Sequence, residues 1–99
     1  MMLKHIVMIK FNAREDVEKL SREFMQNLQA LETSVPSLKS MEVGKNISTK
    51  PSAYHLVLTA VFDNEEGLNA YRVHPDHVKI LDRMKTTVEK VAAVDYFAE

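Results

Sequence analysis

Two stretches of this chain, Leu3 to Phe11 and Tyr54 to Phe62, read as β-strands that carry apolar residues in both of their alternating rows. In the first, Leu3, Val7, Ile9 and Phe11 occupy the odd row, interrupted by His5, while Ile6 and Met8 lie between Lys4 and Lys10 in the even row. In the second, Tyr54, Leu56, Leu58, Ala60 and Phe62 alternate with His55, Val57, Thr59 and Val61. Such strands need cover on both sheet faces. A chain of 99 residues buries roughly 60–65% of its unfolded surface and has little core to spare for a second layer. The expectation is one domain spanning residues 1–99, with helices on one sheet face and a second copy on the other. The simplest such contact is an isologous homodimer through the sheet faces.

The intervening segments supply the helices. Val17, Leu20, Phe24, Leu28 and Leu31 recur at helical spacing, with Asn12 and Glu15 proposed as a capping box before them and Pro36 ending the segment. Leu38 to Ile47 reads as a second strand with Gly44 as a bulge or close-approach point, and Ser48 to Ser52 as a turn. Asp63 with Glu66 is read as the cap of a short helix bearing Leu68 and Tyr71; Pro75 then opens another helix bearing Val78, Leu81, Met84 and Val88. Val91 to Phe97 closes the chain as a fourth strand. The order β-α-β-β-α-α-β predicts an α+β, ferredoxin-like fold with a four-stranded antiparallel sheet of spatial order 4-1-3-2.

Composition removes several function classes. Lys and Arg total 13 against 14 Asp and Glu, a net charge of -1, so there is no basic field of the kind that draws proteins onto nucleic acid. The absence of cysteine removes disulfides, thiolate metal sites and cysteine nucleophiles. No apolar run reaches membrane-spanning length and the start lacks a signal-type core, so no membrane partner and a cytoplasmic location are expected.

Four histidines in so short a chain are the unusual feature. Tyr71, His74 and His77 surround Pro75, which disfavours helical geometry at His74 and suits the first position of a new helix. His74 is then an N-cap residue. His77 falls in the first turn, where the helix dipole favours the neutral imidazole that can act as a base. His5 and His55 stand at odd positions of their strands, the rows read as facing the helices, where a polar ring needs a partner or a cavity. Val7, Ile9, Phe24 and Val57, with Leu28 and Leu81, either line that cavity or fill a core. His-only metal ligation is not supported, because no acidic residue falls at a ligand-like spacing.

Lys4-His5-Ile6-Val7-Met8, Val35-Pro36-Ser37-Leu38, Glu42-Val43-Gly44-Lys45-Asn46, Tyr54-His55-Leu56-Val57-Leu58, Tyr71 through Val78 and Val94-Asp95-Tyr96 together resemble the stress-responsive A/B barrel (Dabb) family of dimeric ferredoxin-like proteins. The resemblance covers nearly the whole chain. In that family the third strand often reads Tyr-Asp-Leu; His55 at the acidic position resembles the plant polyketide cyclase branch, the olivetolic acid cyclase type. The resemblance implies a dimeric α/β barrel. It further implies His77 as a base and Tyr71 as a carbonyl donor in an intramolecular aldol closure, with His5 and His55 as the matching strand histidines. No cofactor is expected, although some members of that family carry a magnesium ion on main-chain carbonyls at the end of the first helix, at positions matching Glu32, Val35 and Leu38.

The sequence supports three readings. The first is a homodimeric barrel of uncharacterised role that binds a small apolar or aromatic ligand. The second is a cofactor-independent cyclase or lyase using His77 and Tyr71. The third is a monooxygenase, with or without haem, of the related dimeric ferredoxin-like group.

Overall fold

A computed structural model describes all of residues 1–99. Its elements are β1 (Met2–Phe11), α1 (Val17–Ser34), β2 (Ser40–Lys45), β3 (Leu56–Phe62), α2 (Glu65–Val73), α3 (Pro75–Thr87) and β4 (Val88–Ala98). The four strands form one antiparallel sheet in the order β2-β3-β1-β4, as the element order predicts. Leu20, Phe24, Leu28 and Leu31 of α1 are all buried, and the helices pack on one side of the sheet over Leu3, Val7, Ile9, Phe11, Leu56, Leu58, Ala60 and Phe62.

Strand pairing decides which row faces the helices. In an antiparallel ladder directly opposed residues share a face, and Val7 lies opposite Leu58 and Ala93, and His5 opposite Ala60 and Asp95. The helix-facing row of β3 is therefore the even one. Val57 projects from the other face, 39% exposed, beside Met8 and near Thr59 and Val61. This corrects the sequence assignment of Val57 to the helix side; His55 precedes β3, and its ring does lie on the helix side, stacked on the buried Phe11 and near Val17 and Ser21 of α1. The outer face left open combines Ile6, Met8, Val57, Val61, Val94 and Tyr96, of which Val94 is 62% exposed.

Several local readings also change. The cap of α1 is Asp16, whose carboxylate accepts from the Lys19 N–H, not Asn12; the Asn12 N–H is taken by the Thr87 carbonyl and its own carbonyl by Glu15 N–H, a turn rather than a helix start. The cap of α2 is Asn64, with its amide oxygen on the Gly67 N–H, one residue beyond Asp63. Gly44 sits in unbroken register opposite Val57, so no bulge occurs there; the irregularity falls between Lys10 and Phe11. Strands β2 and β3 are shorter than their apolar runs, and β4 begins at Val88 directly from α3. In α3 it is Ile80 that is buried, whereas Val78 and Leu81 are each 38% exposed.

Phe24 is 1% exposed and meets Phe11 edge to face at 5.0 Å, joining α1 to the central strand. Phe24→Ala leaves a cavity in a packed layer and is expected to lower stability by about 3–5 kcal/mol, read as a lower urea midpoint with unchanged slope at fixed protein concentration. A cost below about 1 kcal/mol would show that α1 is not anchored by this ring.

Candidate functional site

The break between α2 and α3 builds the site. On one continuous helix Tyr71 and His77 would point roughly 120° apart around the axis. Here His74 adopts an extended backbone (φ -63, ψ 134) and serves both as the end of α2 and as the N-cap of α3, its Nδ1 accepting from the Asp76 N–H at 3.1 Å. Pro75 comes next, at the first helical position, where its missing N–H costs nothing. The chain turns, and the Tyr71 and His77 rings come to lie 4.2 Å apart, centre to centre.

Both rings face a cavity of about 340 Å³ between the sheet and α3. Its floor is His5, Val7, Ile9, Leu58, Val91 and Ala93; its walls are Leu28 of α1, Tyr71 and Arg72 of α2, and His77, Ile80, Leu81 and Met84 of α3. The volume is at the lower end of the range of small-molecule sites, and ten of the thirteen lining residues are hydrophobic, as such sites usually are.

The polar atoms in it are held in defined states. The His77 Nδ1 lies 3.2 Å from the Arg72 carbonyl. A carbonyl can only accept, so Nδ1 carries the proton and Nε2 keeps its lone pair. Burial holds the His77 imidazole below its ordinary value, which leaves it neutral near pH 7 despite the Arg72 carbonyl. Tyr71 is 1% exposed, and no protein group takes its hydroxyl; burial pushes the phenol up to about 12, so it stays a donor. The His5 ring is 6.0 Å from the Tyr71 ring, centre to centre, and its Nδ1 is 2.5 Å from Asp95 Oδ1. Asp95 Oδ2 in turn accepts from Arg72 at 3.1 Å, and the same guanidinium donates to Asn69.

The fold brings together Tyr71, His77, His5, Val7 and Ile9. It does not bring His55, His74, Phe24 or Val57 to this cavity. His55 stands at the other end of β1, where its Nδ1 accepts the Phe11 N–H at 3.0 Å and its ring stacks on Phe11 at 5.8 Å. It completes the ladder where β3 stops. His74 is spent on its cap, and Phe24 on the core. Asp95 and Arg72 are functional candidates that residue-type reasoning passes over. Their signal is positional: in the helix-facing rows of β1 and β4, His5 and Asp95 are the polar residues amid Leu3, Val7, Ile9, Val91, Ala93 and Phe97, and the register sets them opposite each other.

The residues implied for magnesium, Glu32, Val35 and Leu38, lie around the end of α1, whose last turn has no basic side chain. Neutral carbonyl oxygens at the negative end of a helix suit a hard divalent cation. The Val35 carbonyl also accepts from Leu38 N–H, while the Glu32 carboxylate is turned to the Met41 N–H. A cation held there would brace the turn into β2 and is no part of the cavity lining.

Comparison with known proteins agrees with this architecture. The family model for the stress responsive A/B barrel domain matches residues 3–98. Olivetolic acid cyclase of Cannabis sativa is 29% identical over 98 residues, covering 97% of this chain and 96% of that one. The stress-response A/B barrel domain-containing protein DABB1 of Arabidopsis thaliana is 33% identical over 101 residues, covering 98% of this chain but 47% of its own length, so the chain spans about half of that relative. Among solved structures, a dimeric protein of unknown function with a ferredoxin-like fold from Bacteroides fragilis superposes with a TM-score of 0.88 at 30% identity, covering 98% of this chain and 96% of that one. No helix here is long and apolar enough to cross a membrane.

Burial lowers the pKa of both His55 and His77 from the ordinary 6.5. As pH falls through that value the unfolded chain takes up protons that the folded one refuses, so stability is complete above about pH 6.5 and declines below it. The urea midpoint is expected to fall between pH 7.5 and 5.5, each group contributing a slope of at most about 1.4 kcal/mol per pH unit. His55→Asn keeps an acceptor for Phe11 N–H without the titration and should flatten the profile. An unchanged slope would mean that His55 titrates alike in both states.

Proposed function

The chain belongs to the stress-responsive A/B barrel family, and from that premise we propose that it is a homodimer that binds a small, largely apolar carbonyl compound in the cavity and closes it into a ring by proton transfer. The observation that carries this reading is the pairing of the unpartnered Tyr71 hydroxyl with the unprotonated Nε2 of His77, their rings 4.2 Å apart at an apolar cavity. Olivetolic acid cyclase, which matches over nearly its whole length, supports the choice of ring closure. His77 Nε2 removes a proton from a carbon flanked by carbonyls. Tyr71 donates to the carbonyl oxygen on which the negative charge gathers. The carbanion attacks a second carbonyl carbon of the same molecule, forming the carbon–carbon bond, and the resulting alkoxide takes the proton back from the His77 imidazolium. Three of the polar residues at the cavity, His5, Tyr71 and His77, can give or take a proton, which suits this chemistry.

The dimer rests on the outer sheet face. Ile6, Met8, Val57, Val61, Val94 and Tyr96 make an apolar surface that a second copy would bury, and the Bacteroides fragilis neighbour is described as dimeric. Two sheets joined in this way make the dimeric α/β barrel.

Binding raises the melting temperature by mass action. Triacetic acid lactone and 2,4-dihydroxybenzoate are expected to stabilise the parent in a thermal-shift assay, His77→Ala to lose the shift, and Tyr71→Phe to weaken binding by about tenfold, the worth of one hydrogen bond in a buried site. Shifts of equal size in His77→Ala would place the ligand elsewhere, and a haem Soret change lost in His77→Ala would favour the oxygenase reading. Sedimentation at micromolar concentration should give twice the 11.3 kDa chain mass, and Val57→Glu should shift it to monomer. A monomeric parent would overturn the sheet-face dimer.

A further inference from the structure

Arg72 touches the orienting contact of both imidazoles of the cavity. Its main-chain carbonyl takes the His77 Nδ1–H. Its guanidinium holds Asp95 Oδ2 at 3.1 Å, and Asp95 Oδ1 takes the His5 Nδ1 at 2.5 Å. We propose that Asp95 and Arg72 are positioning residues that fix His5 with its proton on Nδ1 and its Nε2 toward the bound ligand, making it a second proton acceptor in the cavity beside His77.

The chemistry is set by the partners. Between an imidazole and a carboxylate paired with a guanidinium, the ring nitrogen is the donor, so a neutral His5 keeps its lone pair on Nε2. An imidazole without such a partner prefers its proton on Nε2 and would present a donor there. The side chain of His5 is 12% exposed and Asp95's 34%, so the pair sits at the cavity margin with the carboxylate toward solvent, and the guanidinium supplies the charge that keeps it in place. The cavity thereby offers two acceptors, Nε2 of His77 and of His5, and one donor, the hydroxyl of Tyr71, whose ring lies 4.2 Å from the first imidazole and 6.0 Å from the second. A ligand that presents two hydroxyls and a carbonyl complements this set, as an enolised polyketone of the kind the ring-closure reading requires, or an ortho-hydroxylated aromatic carbonyl, would. The role of His5 deepens the ring-closure reading and rests on it for the ligand, but not for the tautomer.

The test reads tautomers directly, by long-range ¹⁵N–¹H correlation spectra of the imidazoles at a pH where both are neutral. The parent is expected to show Nδ1–H for His5 and for His77. Asp95→Ala should move His5 toward Nε2–H and leave His77 unchanged, since its partner is a main-chain carbonyl. Arg72→Ala should move His5 in part, and Arg72→Lys should restore it. The Kd of 2,6-dihydroxyacetophenone should rise at least tenfold in Asp95→Ala, while 2,6-dimethoxyacetophenone binds neither protein. A parent His5 with its proton on Nε2, or a tautomer unaffected by Asp95→Ala, overturns the proposal. So does an altered tautomer with unchanged affinity for the dihydroxy probe. If the probe fails to bind the parent, the ligand reading falls, and the His5 tautomer still decides the positioning role.

Discussion

The refusal of the chain to continue as a helix through His74 and Pro75 governs much of this molecule. With no N–H at Pro75 and an extended backbone before it, α2 must end, and the imidazole of His74 caps α3. That short corner folds the Tyr71 ring against His77 and swings α3 out over the sheet, so that Ile80, Leu81 and Met84 roof a space instead of filling it. The cavity is a by-product of a helix that was interrupted. One residue, His74, closes one helix and opens the next, which is why a side chain read as a site candidate turns out to be spent on backbone.

Strand β1 does the complementary work from below. Paired on both sides, as β3 also is, it has two rows with divergent fates. The odd row carries His5, Val7 and Ile9 under the helices; the even row carries Ile6 and Met8 to the outer face. The same ten residues thus contribute to an internal surface and to a surface suited to a second copy.

The fold was legible because it rests on periodicity and punctuation. The apolar recurrence of Leu20, Phe24, Leu28 and Leu31 marks α1, and Pro75 marks the corner, whatever surrounds them. Boundaries were less legible: Asn12 and Asp63 look like caps because the residue types are right, and the true caps are Asp16 and Asn64 because a turn or an added residue intervenes. The site was legible where its members are close in sequence, as Tyr71 and His77 are. It was illegible where they meet only through register. Asp95 is 90 residues from His5, and an aspartate in a terminal strand carries no mark of its partner. His55 misled for a related reason: its ring lies just before β3 begins, so strand parity does not govern it, and the identity of a histidine does not say whether its lone pair is wanted by a ligand or by a neighbouring N–H.

The contact between the Arg72 carbonyl and His77 has a consequence for how such a site can change over generations. A main-chain acceptor is supplied by any residue that holds the same backbone, so substitutions at position 72 leave the orientation of His77 intact. The guanidinium-to-carboxylate arm that reaches His5 has no such insurance, since it is written in two side chains and a single codon change removes either. One part of the polar set is anchored in the fold and drifts only with it. The other part is free to vary, and lineages that keep the same corner and the same Tyr71–His77 pair can diverge in what they recognise by editing β4 alone.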